Sequence, residues 1–328
     1  MTPMFDFLRA FRQLCHREPR KLAFHTTANV LLAAMYLDAP GMPCATPDIT
    51  YRFRRALAAL RVLKATGAQS YKRTSAGRIF FGLPVRVRKM ILHLSRRRTA
   101  WFELAITLKT GLPVTKLMLG KNCWEYLSEN ADAAQKFYST VRTLSTPLQE
   151  ILLAAHDWSK TQTVVDVGGG RGYLLRKVQR HHPHVRVILF DLPPVVAAAA
   201  TDLANVTADS IKVELRAGSF LDSIPTGGDV YVLANVLHNW DDTRALRILQ
   251  NCRAAANHRS HLLIVEPVIS DSRPGWLEAA MDMHMLLLFQ GKERTILEHN
   301  VLLQRAGFEL CTRAARLWPY TVLRTRPV

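Results

Sequence analysis

The chain has no apolar run long enough to cross a bilayer. Its longest candidates, around Val195 to Ala200 and Met283 to Phe289, fall far short of the ~20 residues a spanning helix needs. A secretory leader is not expected either. Phe5, Leu8, Phe11 and Leu14 recur at helical spacing, but Asp6, Arg9 and Arg12 interrupt them, which predicts an amphipathic helix. Cysteine is scarce: Cys15, Cys44, Cys123, Cys252 and Cys311 are scattered, odd in number and without a C-x-x-C pair. That pattern argues against a disulfide framework and a zinc site, and predicts reduced thiols, no metal and a cytoplasmic address. Internal repeats and low-complexity segments are missing too. Acids are few at the front: residues 1–120 hold 5 against 21 Lys and Arg, a balance of +16. The remaining 208 residues hold 21 against 23, or +2, which completes the total of +18. A basic front half has the means to attract nucleic acid, an anionic membrane or an acidic substrate. The plainer reading is a solvated, self-repelling surface, so neither nucleic acid nor membrane is expected as a partner.

What remains is a chain of 328 residues with 48% apolar content, enough for two domains with sizeable cores. Its most informative stretch is Val164-Val165-Asp166-Val167-Gly168-Gly169-Gly170-Arg171-Gly172-Tyr173. This reads as a buried strand ending near an acid, a glycine-crowded turn, and a helix beginning at Tyr173. A dinucleotide fingerprint, G-x-G-x-x-G, requires glycine where Tyr173 stands. The spacing G-x-G-x-G after an acid suits a ligand without phosphate. S-adenosylmethionine is one: its sulfonium and ammonium are cations, which Asp166 can hold through water or backbone. The glycines then let the backbone touch the ligand. An ordinary glycine turn in an α/β protein is the alternative.

The next strand, Val185 to Phe190, is mostly β-branched or aromatic and ends in Asp191. An acid at the second strand end is placed to grip a ribose diol. Further strands are predicted at Ile211–Leu215, Asp229–Leu233 and Leu262–Val265, separated by helix-length segments, so a parallel doubly wound sheet follows. Two late strands, Phe308–Thr312 and Tyr320–Arg324, are joined by Arg313 to Pro319, too short a link for a crossover; they are expected to be antiparallel. At the front, Arg54 to Lys64 reads as a helix with Leu57, Leu60, Val62 and Leu63 inward. A strand-like Gln69–Arg73 and a small-residue turn, Thr74–Arg78, follow. This resembles a winged-helix unit. Residues 101–155 read as helical.

Several blocks together resemble the dimeric, S-adenosylmethionine-dependent small-molecule O-methyltransferases of plant phenolic and bacterial antibiotic pathways. They include "GKNCWEYL", "VVDVGGGRGYLL", "FDLPPVV", "VLANVLHNWDD", "LLIVEPVI" and "LLLFQGKERT" with "QRAGFEL" following. The resemblance implies a class I, Rossmann-like methyltransferase sheet over residues 156–328. It also implies a winged-helix-like dimerisation domain over residues 1–100, which interlocks two subunits without binding DNA. Residues 101–155 are then a helical linker that contributes to the substrate pocket. The chain departs from the family at Pro40 to Tyr51, short and proline-rich where an additional helix is usual.

The same resemblance assigns roles. His238, in Leu237-His238-Asn239-Trp240 at the carboxyl edge of the sheet, takes the position of the catalytic base, flanked by the acids Glu266 and Glu293. A histidine suits deprotonation of a phenol, and a carboxylate on its other nitrogen fixes the tautomer. The histidine of a helix cap at Asp241-Asp242 is the plainer reading. Asp166, Gly168, Gly170, Asp191, Leu192, Gly218, Ser219, Phe220 and Asn235 are implied for S-adenosylmethionine and its product S-adenosylhomocysteine. Ser219 stands where relatives often have Asp, and Phe220 is either a stacking ring or core. Trp124, Asn239, Met281 and Met285 are implied for an aromatic small-molecule acceptor, with Trp101 and Phe102 as further contributors. Met281, Met285 and Phe289 share one helix face, as either pocket or core. The expected activity is O-methylation of an aromatic secondary metabolite by a homodimer. N-methylation of a heteroaromatic ring, a nucleic-acid-binding regulator with a ligand-sensing methyltransferase-like half, and reuse of the fold for another reaction stay open.

Overall fold

The computed structural model describes residues 44–67, 69–84, 102–144, 146–204, 213–270, 275–317 and 319–328, with Val30, Leu31, Ala33, Ala34 and Val87. The amphipathic helix expected over Phe5 to Leu14, Cys15 and Trp101 lie outside the described residues, as does the side chain of Phe102. The chain forms two compact units, Met1–Tyr126 with Ile269–Glu293, and Leu127–Val268 with Arg294–Val328.

In the first unit, α1 spans Pro47–Ala59 and is followed by a hairpin, β1 (Leu63–Ala65) antiparallel to β2 (Tyr71–Arg73). Helix α2 covers Ser75–Phe81, α3 Phe102–Thr110, α4 Val114–Leu119 and α5 Cys123–Glu129. The start of α1 corrects the expected helix at Arg54. Thr46 caps it through a 3.2 Å bond from Ile49 N, Pro47 supplies a preset φ, and Asp48 faces the positive end of the helix. The latter part of the proline-rich Pro40–Tyr51 segment is therefore helix. The other end is corrected as well. Arg61 takes a left-handed φ of 59° and turns the chain, so Leu63 and Lys64 belong to β1. The expected turn over Thr74–Arg78 is the capped start of α2, with Gly77 N bonded to Thr74 Oγ1 at 2.9 Å. The core joins Phe53 and Leu57 of α1, Leu104 and Leu108 of α3, and Met283, Leu286, Leu287 and Leu288 of the later helix α11 (Trp276–Phe289, numbered in chain order).

The second unit begins with α6 (Ala131–Leu144) and α7 (Thr146–Ala154). Next come β3 (Thr163–Val167), α8 (Tyr173–His181), β4 (Arg186–Asp191), α9 (Pro193–Ala204) and β5 (Val213–Ala217). They are followed by β6 (Val230–Ala234), α10 (Asp242–Ala255), β7 (His261–Pro267), α12 (Ile296–Arg305), β8 (Phe308–Leu317) and β9 (Tyr320–Pro327). The sheet order is β5-β4-β3-β6-β7-β9-β8, parallel from β5 to β7 and antiparallel at β9 and β8. Strand alternation sorts its side chains into two cores. Val165, Val167, Ile188, Phe190, Tyr231 and Leu233 pack with Ile248 and Leu249 of α10 and Leu302 and Leu303 of α12. Val164, Val187, Val230, Val232 and Val265 pack with Leu152 of α7 and Leu175 and Val178 of α8.

The expected hairpin is present, but Arg313 to Leu317 extend β8 instead of forming a link. Register shifts between Leu310 and Thr312 and between Arg313 and Ala315 bend this edge strand, on which Arg316 is exposed.

Candidate active site

The chain order reverses at β3, whose neighbours are β4 and β6, so the crevice at the carboxyl ends of these strands is where a ligand binds in such sheets. The glycine turn leaves β3 there. Gly172 has φ +73°, and a Cβ on it falls 2.7 Å from Leu189 Cδ1. A Cβ on Gly169 falls 2.7 Å from Asp166 Cγ. These two glycines thus make room for the protein's own side chains. Tyr138 of α6 lies over Gly170, its ring 3.6 Å from the site of a Cβ, and the Arg171 guanidinium stacks on that ring at 5.4 Å.

Asp191 ties the turn to β4. Its Oδ2 accepts Gly170 N at 2.8 Å and its Oδ1 accepts Leu192 N at 2.7 Å. Burial raises its carboxyl, and these two bonds oppose the rise. Asp166 is buried deeper. Burial first and the nearby Asp191 charge second push its carboxyl up to about 7. Asp166 Oδ2 has no hydrogen-bond partner among the described residues, nor has Asn235 Oδ1 at the end of β6. Asn235 holds a left-handed φ of 55°, which turns the chain out of the strand.

Of the remaining cofactor candidates, Gly218 N bonds to Asp191 O at 2.9 Å. Ser219 Oγ accepts Leu221 N at 3.2 Å, so part of its capacity closes its own turn. Phe220 packs edge-on to Trp240, with centroids 5.9 Å apart, and beside Gly168.

His238 is 8% exposed, in a single 3-10 turn, Leu237–Asn239, that follows β6. Glu266, at the end of β7, holds that turn from one side: its Oε1 accepts Val236 N and His238 N, each at 3.1 Å. Arg294 holds it from the other. Its guanidinium donates to Leu237 O at 2.9 Å, Trp240 O at 2.8 Å and Asp242 Oδ1 at 2.9 Å. Asn239 spends its amide on the same turn, donating to Asn235 O at 2.9 Å. The helix cap weighed as the plainer role for His238 belongs to Asp241, whose Oδ1 accepts Arg244 N at 2.8 Å.

The first unit holds the other candidates. Glu293 is buried, and its N–H donates to Asp282 Oδ1 at 3.1 Å. Asp282 lies wholly inside, bound at 2.7 Å by Arg52 Nη2 and at 2.7 Å by Arg55 Nη2, while Arg52 Nη2 also reaches Gly291 O at 2.9 Å. Burial works to raise the Asp282 carboxyl, but the two guanidiniums prevail and hold it below the usual range. Met281 and Met285 fall outside the core cluster of this unit, which takes Ala279 and Met283 from the same helix. Trp124 stacks on Phe289 with centroids 5.4 Å apart.

A family model described as an O-methyltransferase domain matches residues 101–309. The chain belongs to the O-methyltransferase family. It is 35% identical over 296 residues to the O-demethylpuromycin-O-methyltransferase of Streptomyces alboniger, covering 86% of this chain and 77% of that one. It is 27% identical over 259 residues to the phenazine-1-carboxylate N-methyltransferase of Pseudomonas aeruginosa, covering 79% and 77%. Among solved structures, it superposes with a TM-score of 0.63 on an O-methyltransferase from neocarzinostatin biosynthesis in complex with S-adenosylmethionine and 2-hydroxy-5-methyl naphthoic acid. That match has 26% identity and covers 93% of this chain and 96% of that one.

In this O-methyltransferase, sequence reasoning passed over Arg294, Asp282, Arg52 and Arg55. One signal was present. Asp282 is the lone acid in the apolar run Ala279 to Phe289, and such an acid demands a buried cation. Arg52 and Arg55, 3% and 2% exposed, supply it, so part of the basic front half is interior rather than solvated surface.

Proposed function

We propose that this enzyme methylates a hydroxyl group of an aromatic small molecule from S-adenosylmethionine, with His238 as the general base. The observation that carries the reading is the double clamp on the His238 turn, N–H groups held by Glu266 and carbonyls by Arg294, beside the glycine turn. The residues present fit the donor: Asp166 Oδ2 and Asn235 Oδ1 are buried acceptor atoms without partners, at strand ends that border the turn. When bound, S-adenosylmethionine supplies a methyl group already activated by its sulfonium.

The chain then has two tasks, to align the acceptor oxygen and to take its proton. Alignment contributes ~7–11 kcal/mol to such displacements. Asp191 binds the ribose diol, with Leu192, Gly168, Gly170, Gly218, Ser219 and Phe220 around the adenosine. Met281, Met285, Trp124 and Asn239 hold the acceptor's ring, where thioethers adapt to flat ligands. His238 accepts the hydroxyl proton, with Glu266 and Glu293 as the acids that steady the imidazolium. Two copies form the working unit, in the cytoplasm; among the described residues no helix is long and apolar enough to span a membrane.

Incubating the enzyme with S-adenosylmethionine and a panel of hydroxynaphthoic acids, hydroxyphenazines and phenolic amino-benzoates tests this by mass spectrometry. A gain of one methyl that disappears in His238→Ala supports it; methylation that survives in His238→Ala overturns the role of the base. The similarity to an N-methyltransferase favours a second reading, methylation of a ring nitrogen, which needs no base. Full activity of His238→Ala on a phenazine carboxylate identifies that case.

A further inference from the structure

His299 is a second buried imidazole close to the His238 turn, and the reaction proposed above gives it no task. It lies on α12, 1% exposed, and its Nε2 has no hydrogen-bond partner among the described residues. The capping box at Thr295 pins the first turn of α12: Glu298 N bonds to Thr295 Oγ1 at 3.2 Å, and Thr295 N to Glu298 Oε2 at 2.8 Å. His299 N bonds to Thr295 O at 3.0 Å in that same turn, so the imidazole is carried on a fixed backbone. Its Nε2 stands 3.9 Å from Glu266 Oε2, whereas Glu266 Oε1 is the atom that grips the N–H groups of Val236 and His238.

We infer that His299 is a positioning residue, which presents a neutral Nε2–H to Glu266 Oε2 and so locks the carboxylate that holds the His238 turn. The inference rests on His238 being the base. At a separation of 3.9 Å an ion pair would require a protonated ring, and burial opposes that charge on the imidazole. Burial chiefly, then the Arg294 cation, push it down to about 3; Asp242 pulls the other way and His238 adds to the fall. The groups that face it are therefore Glu266 from β7, His238 from its 3-10 turn, Asp242 from α10 and Arg294. A neutral ring cannot pair as an ion. It can donate one N–H, and a carboxylate is the acceptor that such a donor serves best. Contacts of this kind are long in unliganded enzymes and tighten when the site is loaded. With both oxygens engaged, the carboxylate cannot rotate, and Val236 and His238 keep their registration as the proton moves.

The first test is the ring ¹⁵N spectrum of the full-length enzyme, with the His299 signals assigned by their loss in His299→Gln. An uncharged ring protonated at Nε2 between pH 6 and 8 is expected; a ring protonated at Nδ1, or cationic, overturns the inference. The second test uses a hydroxynaphthoic acid as acceptor. His299→Phe should lower kcat about tenfold, the worth of one hydrogen bond to a charged group, with KM for S-adenosylmethionine unchanged. The acid midpoint of kcat should rise, because a carboxylate without its donor puts more negative charge beside His238. His299→Gln should restore most of the rate. An unchanged kcat and pH profile in His299→Phe overturns the inference even when the variant is fully folded. Should that variant not fold, the spectrum of the unmodified enzyme decides. Failure of the base itself has another signature, turnover retained in His238→Ala.

Discussion

Replacing Asp166 by Asn should stabilise the unliganded protein at neutral pH while weakening its hold on the methyl donor. The reasoning starts from a carboxyl sealed at a strand end, with one oxygen lacking a partner and a second acid nearby. Burial and the Asp191 charge lift it from 3.8 to about 7 in the folded state. Because the folded pKa is raised, the contribution of this group is complete below pH ~4 and is lost as pH rises through about 7. The difference of about three units, at 1.36 kcal/mol each, amounts to about 4 kcal/mol of stability lost between pH 4 and 8. Asparagine keeps the shape and cannot ionise, so the variant escapes that loss. Melting curves in the absence of ligand should nearly coincide at pH 4 and separate with rising pH, by roughly 10 °C at pH 8. Adding S-adenosylmethionine at pH 8 should narrow the gap, since a bound cation favours the charged carboxylate only in the unmodified enzyme. A separation that stays constant from pH 4 to 8 would refute the argument that Asp166 is a strained acid.

Other expectations follow from the same structure. Asp282→Ala leaves Arg52 and Arg55 buried without their acid and should cost about 3–5 kcal/mol in denaturant unfolding, whereas an Asp282→Leu, Arg52→Met, Arg55→Met triple variant should recover much of that loss. The folded pKa of Asp282 is depressed, so its stabilisation is present above pH ~4 and should vanish as acid titration protonates it, a trend opposite to that of Asp166. Arg294→Met removes two bonds from the carbonyls of the His238 turn and one from Asp242, and should reduce kcat at least tenfold while calorimetry finds donor affinity unchanged; an equal loss of affinity would mean that Arg294 serves the whole crevice. Gly172→Ala forces a left-handed alanine against Leu189 and should lower stability by about 2 kcal/mol or more, read as a shift in the denaturant midpoint.

Much of the sheet was legible because parallel strands covered on both faces are written as unbroken apolar runs, such as Val187 to Phe190 and Leu262 to Val265. Asp191 and His238 were legible for a related reason, since polar residues just beyond such runs stand at the carboxyl edge of the sheet. The front half was harder to read. The helical pattern through Leu57 and Leu60 continues into Val62 and Leu63, and nothing local announces that Arg61 turns left-handed there. The edge strand β8 was read too short because two register shifts, at Leu310/Thr312 and Arg313/Ala315, break its period-two alternation.

The amino-acid order alone determined the strand–turn–helix units, the two acids at successive strand ends and the histidine after β6, since each depends on neighbours a few residues apart. Tertiary structure decided what those residues mean to one another. It brought residues 269–293 back to the first unit, spent Arg52 and Arg55 on Asp282, and set Glu266 and Arg294 on opposite sides of one turn. Buried charge is satisfied by whichever partner the fold delivers, often more than two hundred residues away, as Arg52 and Asp282 are. Local pattern has no term for that distance.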